Sequence, residues 1–189
     1  AQKIESKYNS LYAVSIQWVK DRSQEASQRG YVEVAFALRE RTPLLAKTFR
    51  NKRSTPYAAE AEGRTAGNAL GQSYGLLNNR AGNEFMEKVW ASPYALDILP
   101  VGCIHDALYF VFKDDVAVIE WINNELIESM EWQNLPELAH PTVKLGANLS
   151  IFYPSWADEL ELPNRVNQKE VRELVSSYLK KLEEENTNG

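Results

Sequence analysis

The chain has 189 residues, of which 44% are apolar and 25% charged, and its formal net charge is −5 at pH 7. This composition is typical of a folded globular domain and not of a disordered chain. No apolar run approaches about 18 residues, so neither a membrane span nor a signal peptide is predicted, and a cytoplasmic protein is expected. One cysteine and two histidines exclude an internal disulfide and the usual Cys/His zinc site.

Charge is distributed unevenly along the chain. The net acidity argues against a protein that simply coats nucleic acid, and most of the acidic excess lies in the tail from residue 158 onward. Basic residues, however, cluster between residues 39 and 64: Arg39, Arg41, Lys47, Arg50, Lys52, Arg53 and Arg64. This segment either faces phosphate groups or is an ordinary solvated loop.

The opening third predicts a helix, a short strand and a basic loop. Apolar residues between Ile4 and Val19 fall on one helical face, and Gly30 stands where a helix would end, so a helix is predicted over residues 2–28. Trp18 lies on or near that apolar face, which is suited to packing either inside this chain or against another polypeptide. Residues 31–38 alternate and predict a strand or hairpin, and a basic loop then ends near Pro56.

A second long helix is predicted over residues 57–90, and it contains glycine at every fourth position from residue 63 to residue 75. Each glycine costs about 1 kcal/mol relative to alanine inside a helix. Such a stripe is useful where another helix or a nucleic acid approaches the backbone closely. The alternative is that the helix is broken in this region.

A polar row accompanies the glycines on the same predicted helix. Arg64, Asn68 and Gln72 are spaced by four residues, so they lie within an arc of about 80° and span about 12 Å along the axis. That length matches about three base-pair steps, and amide side chains can both donate and accept hydrogen bonds in a groove. By itself, the row could equally be a solvated helix face.

Residues 97–112 predict a β-hairpin whose tip is His105-Asp106. Both strands are apolar on both faces, so we expect the sheet to be covered on both sides, with Asp106 at the rim of a buried element. A carboxylate in that position needs a partner, such as a divalent metal ion. The alternative is an aspartate that bonds to its own turn backbone.

The remaining elements are a helix, an extended run and a charged tail. Asp114 is predicted to cap a helix that ends near residue 130 and buries Ile119, Ile122 and Asn123. Residues 142–152 predict a strand that can extend the hairpin. A polar linker and a charged helix over about residues 168–185 follow.

Taken in order, these pieces resemble the last part of the polymerase domain of family A, the DNA polymerase I-like DNA polymerases, over about residues 8–157. Two landmarks are specific: the Arg64, Asn68 and Gln72 row resembles the primer-template helix of the family, and Ile104-His-Asp106 resembles its motif C. Two further landmarks are Gly30-Tyr-Val-Glu33, after the fingers, and Ser155-Trp156-Ala157, near the end of the domain.

The resemblance implies an α+β fold in which an antiparallel palm hairpin and a strand pack with long helices, incomplete without the upstream part of the polymerase. It implies a palm portion over residues 1–162, with the helices that connect fingers and palm, and a helical tail over residues 163–189.

The resemblance also implies functional roles for individual residues. Asp106 would bind the catalytic Mg²⁺ ions, as one ligand of a two-metal site, and His105 would lie near the primer terminus. Arg64, Asn68 and Gln72 would contact primer-template DNA. Arg41, Arg50 and Arg53, which belong to the basic segment and not to a family motif, are also expected to contact the DNA. The reaction would be two-metal nucleotidyl transfer from a dNTP.

Two departures from the family pattern shape this expectation. Ala107 stands where the family usually has a glutamate after the motif C aspartate, and the tail beyond Pro163 has no counterpart in the bacterial enzymes. Both suggest a phage-type relative, which would act in the host cytoplasm. The motif A aspartate and the fingers helix are expected from an upstream polymerase segment or a split-polymerase partner chain.

Two alternatives remain open at this stage. One is a non-catalytic nucleic-acid-binding or replisome assembly module derived from a polymerase palm. The other is a structural protein whose glycine-striped and C-terminal helices serve assembly alone.

Overall fold

A computed structural model of the chain describes residues 2–51, 56–136 and 138–187. It is a mixture of helices and small antiparallel hairpins, as the α+β class requires. The chain forms two compact units, Ala1–Leu76 and Leu77–Gly189, whereas the division expected from the sequence lies at residue 162. Within the described ranges, no helix has both the length and the apolar character needed to cross a membrane.

The first unit contains four helices and one small hairpin within its described residues. These are α1 (Gln2–Leu11), α2 (Ala13–Arg29), β1 (Tyr31–Glu33), β2 (Arg39–Arg41), α3 (Pro43–Asn51) and α4 (Pro56–Gln72). The opening helix is interrupted at Tyr12, whose φ and ψ are −111° and 29°, and α2 ends at left-handed Gly30 (φ 78°), as predicted. The prediction of a basic loop before Pro56 is wrong over Pro43–Asn51, because these residues form helix α3.

A small core holds this unit together. Ala26, Val32, Leu45, Ala66 and Leu70 are buried against one another. Thr42 is fully buried; its hydroxyl donates to the Ala26 carbonyl (3.1 Å) and its N–H to the Gly30 carbonyl (2.8 Å). The start of α3 is thereby tied to the end of α2, and one side of α4 is fixed against both.

The second unit is built from helices and two hairpins. Its elements are α5 (Leu76–Ala91), β3 (Ile98–Ile104), β4 (Ala107–Phe112), α6 (Val116–Met130), β5 (Leu149–Phe152), β6 (Glu159–Leu162) and α7 (Gln168–Thr187). The long helix predicted over residues 57–90 is broken by a 3₁₀ turn at Ser73–Gly75. Asp115, not Asp114, caps α6, since its Oδ1 accepts from the Ala117 N–H (2.9 Å).

Helix α6 is shared by the two apolar clusters of this unit. One cluster joins α5 and β3 to α6 through Phe85, Val89, Ile98 and Ile122. The other joins α6 to β6 and α7 through buried side chains, namely Ile119, Leu162, Val166 and Val171. The tail helix α7 therefore belongs to the core of the unit, and the polar linker predicted before it contains β6.

Charged contacts also join α5 to α6. Lys88 Nζ lies 2.7 Å from Glu128 Oε2 and 2.9 Å from Glu125 Oε2, and its hydrogen bond lowers the pKa of Glu128. The Arg80 guanidinium lies 3.8 Å from the centre of the Trp132 ring. Such partly exposed pairs contribute little each, so the apolar clusters dominate the stability of the unit.

Asn123 connects α6 to the loop that leads into α7. It is fully buried; its Nδ2 donates to the Pro163 carbonyl (3.1 Å), and its Oδ1 accepts from the N–H groups of Arg165 and Val166. Arg165 has a positive φ of 63°. One amide thus satisfies three backbone groups of a loop that turns sharply, which explains a polar residue on the buried face of α6.

We expect Asn123→Ala to lower the free energy of unfolding by about 1–3 kcal/mol, because the loop groups lose their buried partner. Urea denaturation provides the measurement. Asn124→Ala is the matched control, since Asn124 only donates to the Glu120 carbonyl within the same helix. Equal stability of the two variants would show that Asn123 does not hold the loop.

Candidate functional site

The tip of the β3–β4 hairpin presents His105 and Asp106. The strands pair antiparallel, with Ile104 opposite Ala107, so these two residues form the whole turn. His105 has a φ of 55°, a left-handed conformation that costs a non-glycine residue on the order of 1–3 kcal/mol. Glycine or asparagine would fit such a turn with less strain, although histidine is also enriched in this conformation.

Asp106 is exposed, and this corrects the expectation of a carboxylate at the rim of a buried element. Its side chain makes no hydrogen bond or ion pair with the other described residues. The alternative of an aspartate that stabilises its own turn therefore lacks the bond it requires. What the geometry offers is an exposed carboxylate with all its lone pairs open to a ligand.

The hairpin is covered on one face, and the prediction of two covered faces is wrong for the described residues. Phe110 packs edge-on against Phe85, with 5.1 Å between the ring centres. On the opposite face, Leu99 is 55% and Val111 59% exposed. The apolar character of both strand faces is therefore not explained by cover from the described part of this chain.

A cleft of about 1380 Å³ lies between the two hairpins of the second unit. It is lined by every residue of β4 and every residue of β5, although successive side chains of a strand point to opposite faces. Both strands therefore border the cleft. Asp106 is part of the same lining.

The two hairpins are separate sheets. Strand β5 pairs only with β6, and β3 only with β4, among the described residues, so the prediction that residues 142–152 extend the first hairpin is wrong. Both β4 and β5 keep one edge without a backbone partner in that part of the chain. Unpaired edges of apolar strands are ready sites for strand addition.

Aromatic side chains connect the hairpins at the surface. The Trp156 ring lies 5.1 Å from that of Tyr109 on β4 and 5.3 Å from that of Phe152 on β5. The Ser155-Trp156-Ala157 segment is thereby placed beside the cleft. This segment was identified from the sequence only by its resemblance to the family. No local pattern in the sequence indicates the contact between Trp156 and Tyr109.

The residues at the hairpin tip fit part of a magnesium site. Magnesium prefers oxygen ligands in octahedral geometry and keeps several waters, and the Asp106 carboxylate offers oxygen atoms of this kind. In the part of the chain that the structure describes, no three His, Cys, Asp or Glu side chains come together as a metal-binding group. A two-ion site would therefore need carboxylates from elsewhere.

The predicted DNA-contacting residues belong to the first unit, apart from the hairpin tip. Arg64, Asn68 and Gln72 are exposed on α4, and Arg64 Nη1 lies 2.8 Å from Glu60 Oε1. Arg41 is exposed on β2 and Arg50 lies in α3, whereas Arg53 is outside the described residues. The row is thus a continuous polar surface on a helix whose other side is buried.

The glycine stripe is open along most of its length. A Cβ added at Gly67, Gly71 or Gly75 would meet no described side chain or backbone of another element within 4 Å, and one at Gly63 would only reach Leu45 Cδ1 at 4.0 Å. Close packing against a helix of this chain was one explanation for the glycines. The described residues do not provide that contact.

A polar cluster at the end of β3 escaped sequence analysis. Cys103 Sγ lies 3.4 Å from Asn78 Nδ2 and 3.3 Å from Asn79 Oδ1. Asn78 is buried, and its Oδ1 has no partner among the described residues. The adjacent asparagines on α5 were the only signal in the sequence.

Comparison with known proteins does not assign a family. No protein-family model matches the chain, and no curated protein matches it significantly.

We expect Gly67→Ala to raise the free energy of unfolding by about 1 kcal/mol, because alanine is the better helix former and the added methyl group has open space. Thermal or urea unfolding measures the change. Gly82→Ala in α5 is the control, since its Cβ would lie 3.2 Å from Leu108 Cδ2. If Gly67→Ala is no more stable than Gly82→Ala, the stripe is packed after all.

Proposed function

We propose that this chain is the C-terminal palm portion of a family A DNA-directed DNA polymerase. It contributes one magnesium-binding carboxylate, Asp106, and primer-template contacts to template-directed nucleotidyl transfer in DNA replication. Activity requires the part of the polymerase that carries motif A and the fingers helix, whether as an upstream segment or as a split-polymerase partner chain.

The observation that carries the proposal is the position of Asp106 on a cleft between two incomplete sheets. Two-metal catalysis needs carboxylates that hold ions about 3.5–4 Å apart, and Asp106 alone cannot do this. The further carboxylates would come from the part of the polymerase that carries motif A.

In this mechanism the chain's own residues position the substrates. Asp106 is one ligand of the metal site. His105 contacts the primer end, and the hairpin turn sets the direction of the His105 side chain. When bound, the ions activate the primer 3′-hydroxyl and neutralise charge on the phosphates of the dNTP. Arg64 binds a phosphate, while Asn68 and Gln72 face the minor groove, whose acceptors are similar in all correct base pairs.

A non-catalytic nucleic-acid-binding module is the second candidate. Ala107 supplies no carboxylate beside Asp106, and the described residues hold no group of three metal-binding side chains. The exposed row on α4 would serve such a module equally well. The two candidate functions predict different results when Asp106 is substituted. Primer extension is lost if the chain is a polymerase portion, and activity is unaffected if it is a non-catalytic module.

We expect Asp106→Asn to abolish magnesium-dependent primer extension in the assembled polymerase, by at least about 100-fold, while DNA affinity stays nearly unchanged. The change removes a metal ligand and not a phosphate contact. Extension of a labelled primer and binding to the same duplex are measured in parallel.

The matched control is Asp97→Asn, the same chemical change at the other end of the hairpin, where Asp97 pairs with Lys113 at 3.9 Å. This variant is expected to retain extension. Full activity of the Asp106 variant beside the upstream part would exclude the polymerase role and favour the non-catalytic module.

A separate prediction concerns Arg64. We expect Arg64→Gln to reduce the slope of log affinity against log salt by about 1, because one phosphate contact is lost. Primer-template binding at several salt concentrations gives the slope. Glu60→Gln, which frees Arg64 from its ion pair, should bind at least as tightly as the parent chain. An unchanged slope for Arg64→Gln would remove this residue from the DNA surface.

A further inference from the structure

The end of strand β3 carries a cysteine whose sulfur contacts two asparagines of α5. Cys103 is exposed and is the only cysteine in the sequence. Asn78 Nδ2 donates to the Cys103 Sγ at 3.4 Å, and the thiol donates to Asn79 Oδ1 at 3.3 Å. Reagents in solution can therefore reach the thiol, although two amide groups contact it.

The register of the hairpin explains why Cys103 faces α5. Cys103 lies opposite Leu108, and residues opposite each other in antiparallel strands share one face of the sheet. Leu108 packs against Gly82 of α5, where an added Cβ would lie 3.2 Å from Leu108 Cδ2. Asn78 lies about one turn before Gly82 on the same helix face, so the packing that holds the hairpin also brings Cys103 to Asn78.

Asn78 contains a buried oxygen atom that lacks a donor. The residue is 5% exposed, and its Oδ1 accepts no hydrogen bond from the described residues. Such an atom loses its hydrogen bonds to water on folding, which is unfavourable, and it is uncommon in folded proteins. The free acceptor belongs to the same amide that touches the Cys103 thiol. A hydrogen-bond donor attached to this sulfur would supply what Asn78 lacks.

We propose that Cys103 is a site of reversible oxidation by a hydroperoxide, and that Asn78 stabilises the sulfenic acid product by accepting a hydrogen bond from its hydroxyl group. The exposed sulfur allows the oxidant to enter, and the buried amide retains the product. Asn79 is exposed, so water replaces the thiol contact that it loses. This site goes beyond the proposed polymerase function and does not depend on it.

The reaction is a two-electron oxidation of the thiolate. The Cys103 sulfur attacks the hydroxyl oxygen of the hydroperoxide, a sulfur–oxygen bond forms, and the oxygen–oxygen bond breaks. The other oxygen leaves with the bonding electron pair and takes a proton, which gives water or an alcohol. The sulfur loses two electrons, the peroxide gains them, and the hydroxyl group now on sulfur keeps its hydrogen atom for Asn78 Oδ1.

The test uses the full chain, in which every thiol signal comes from Cys103. Dilute protein is treated with hydrogen peroxide, the peroxide is removed with catalase, and dimedone, which traps sulfenic acids, is added after increasing delays. Intact-mass spectrometry then gives the lifetime of the sulfenic acid. We expect this lifetime to be about 10-fold longer in the folded chain than in the same chain unfolded in urea, because only the folded chain supplies the buried hydrogen bond. Dithiothreitol should return the free thiol.

The role of Asn78 is tested by Asn78→Ala, with Asn79→Ala as the matched control at the neighbouring residue. The first variant should shorten the lifetime about 10-fold, whereas the second should leave it nearly unchanged. Circular dichroism checks the fold of both variants, and the comparison of the folded and unfolded parent chain needs neither of them. Cys103→Ser should remove the dimedone adduct.

Equal lifetimes in the folded and unfolded parent chain would overturn the inference. So would an equal loss in the two asparagine variants, because Asn78 would then have no special role. The measurements use neither magnesium nor DNA, so their result is separate from that of the primer-extension experiments.

Discussion

Packing of the two hairpins against helices is the interaction on which the second unit depends. A two-stranded hairpin is marginal in water, and here two of them border one cleft without pairing to each other. Each is held by one covered face, through Phe85 for β3–β4 and through Leu162 for β6. The sheets are therefore positioned by helices while their hydrogen bonding is left incomplete.

Helix α6 supports both hairpins, although the hairpins do not pair with each other. It contributes to both apolar clusters, and Asn123 fixes the loop that sends α7 back along the second hairpin. Side chains of α6 line the cleft between the hairpins, so the same helix that supports both hairpins also forms part of the cleft wall.

Local pattern predicted the parts whose causes are local. Gly30 ends α2, and His105-Asp106 forms a turn, because conformational preference and alternation act over a few residues. Local pattern did not predict the features that depend on distant residues. These features are the cover of the hairpin, the partner of β5, and the break at Ser73–Gly75. Asp106 was expected at the rim of a largely buried hairpin, whereas one face of the hairpin is open and Asp106 is exposed. No local pattern in the sequence shows whether the edge of a strand will be covered by the core or left open.

The exposure of Asp106 removes the desolvation argument for a metal ion. A buried carboxylate would need a cation merely to offset desolvation, so its presence would say little about function. An exposed one has no such need, and histidine is among the residues that adopt a left-handed backbone more often than most. The proposed role of the hairpin tip therefore depends on the resemblance of Ile104-His-Asp106 to motif C.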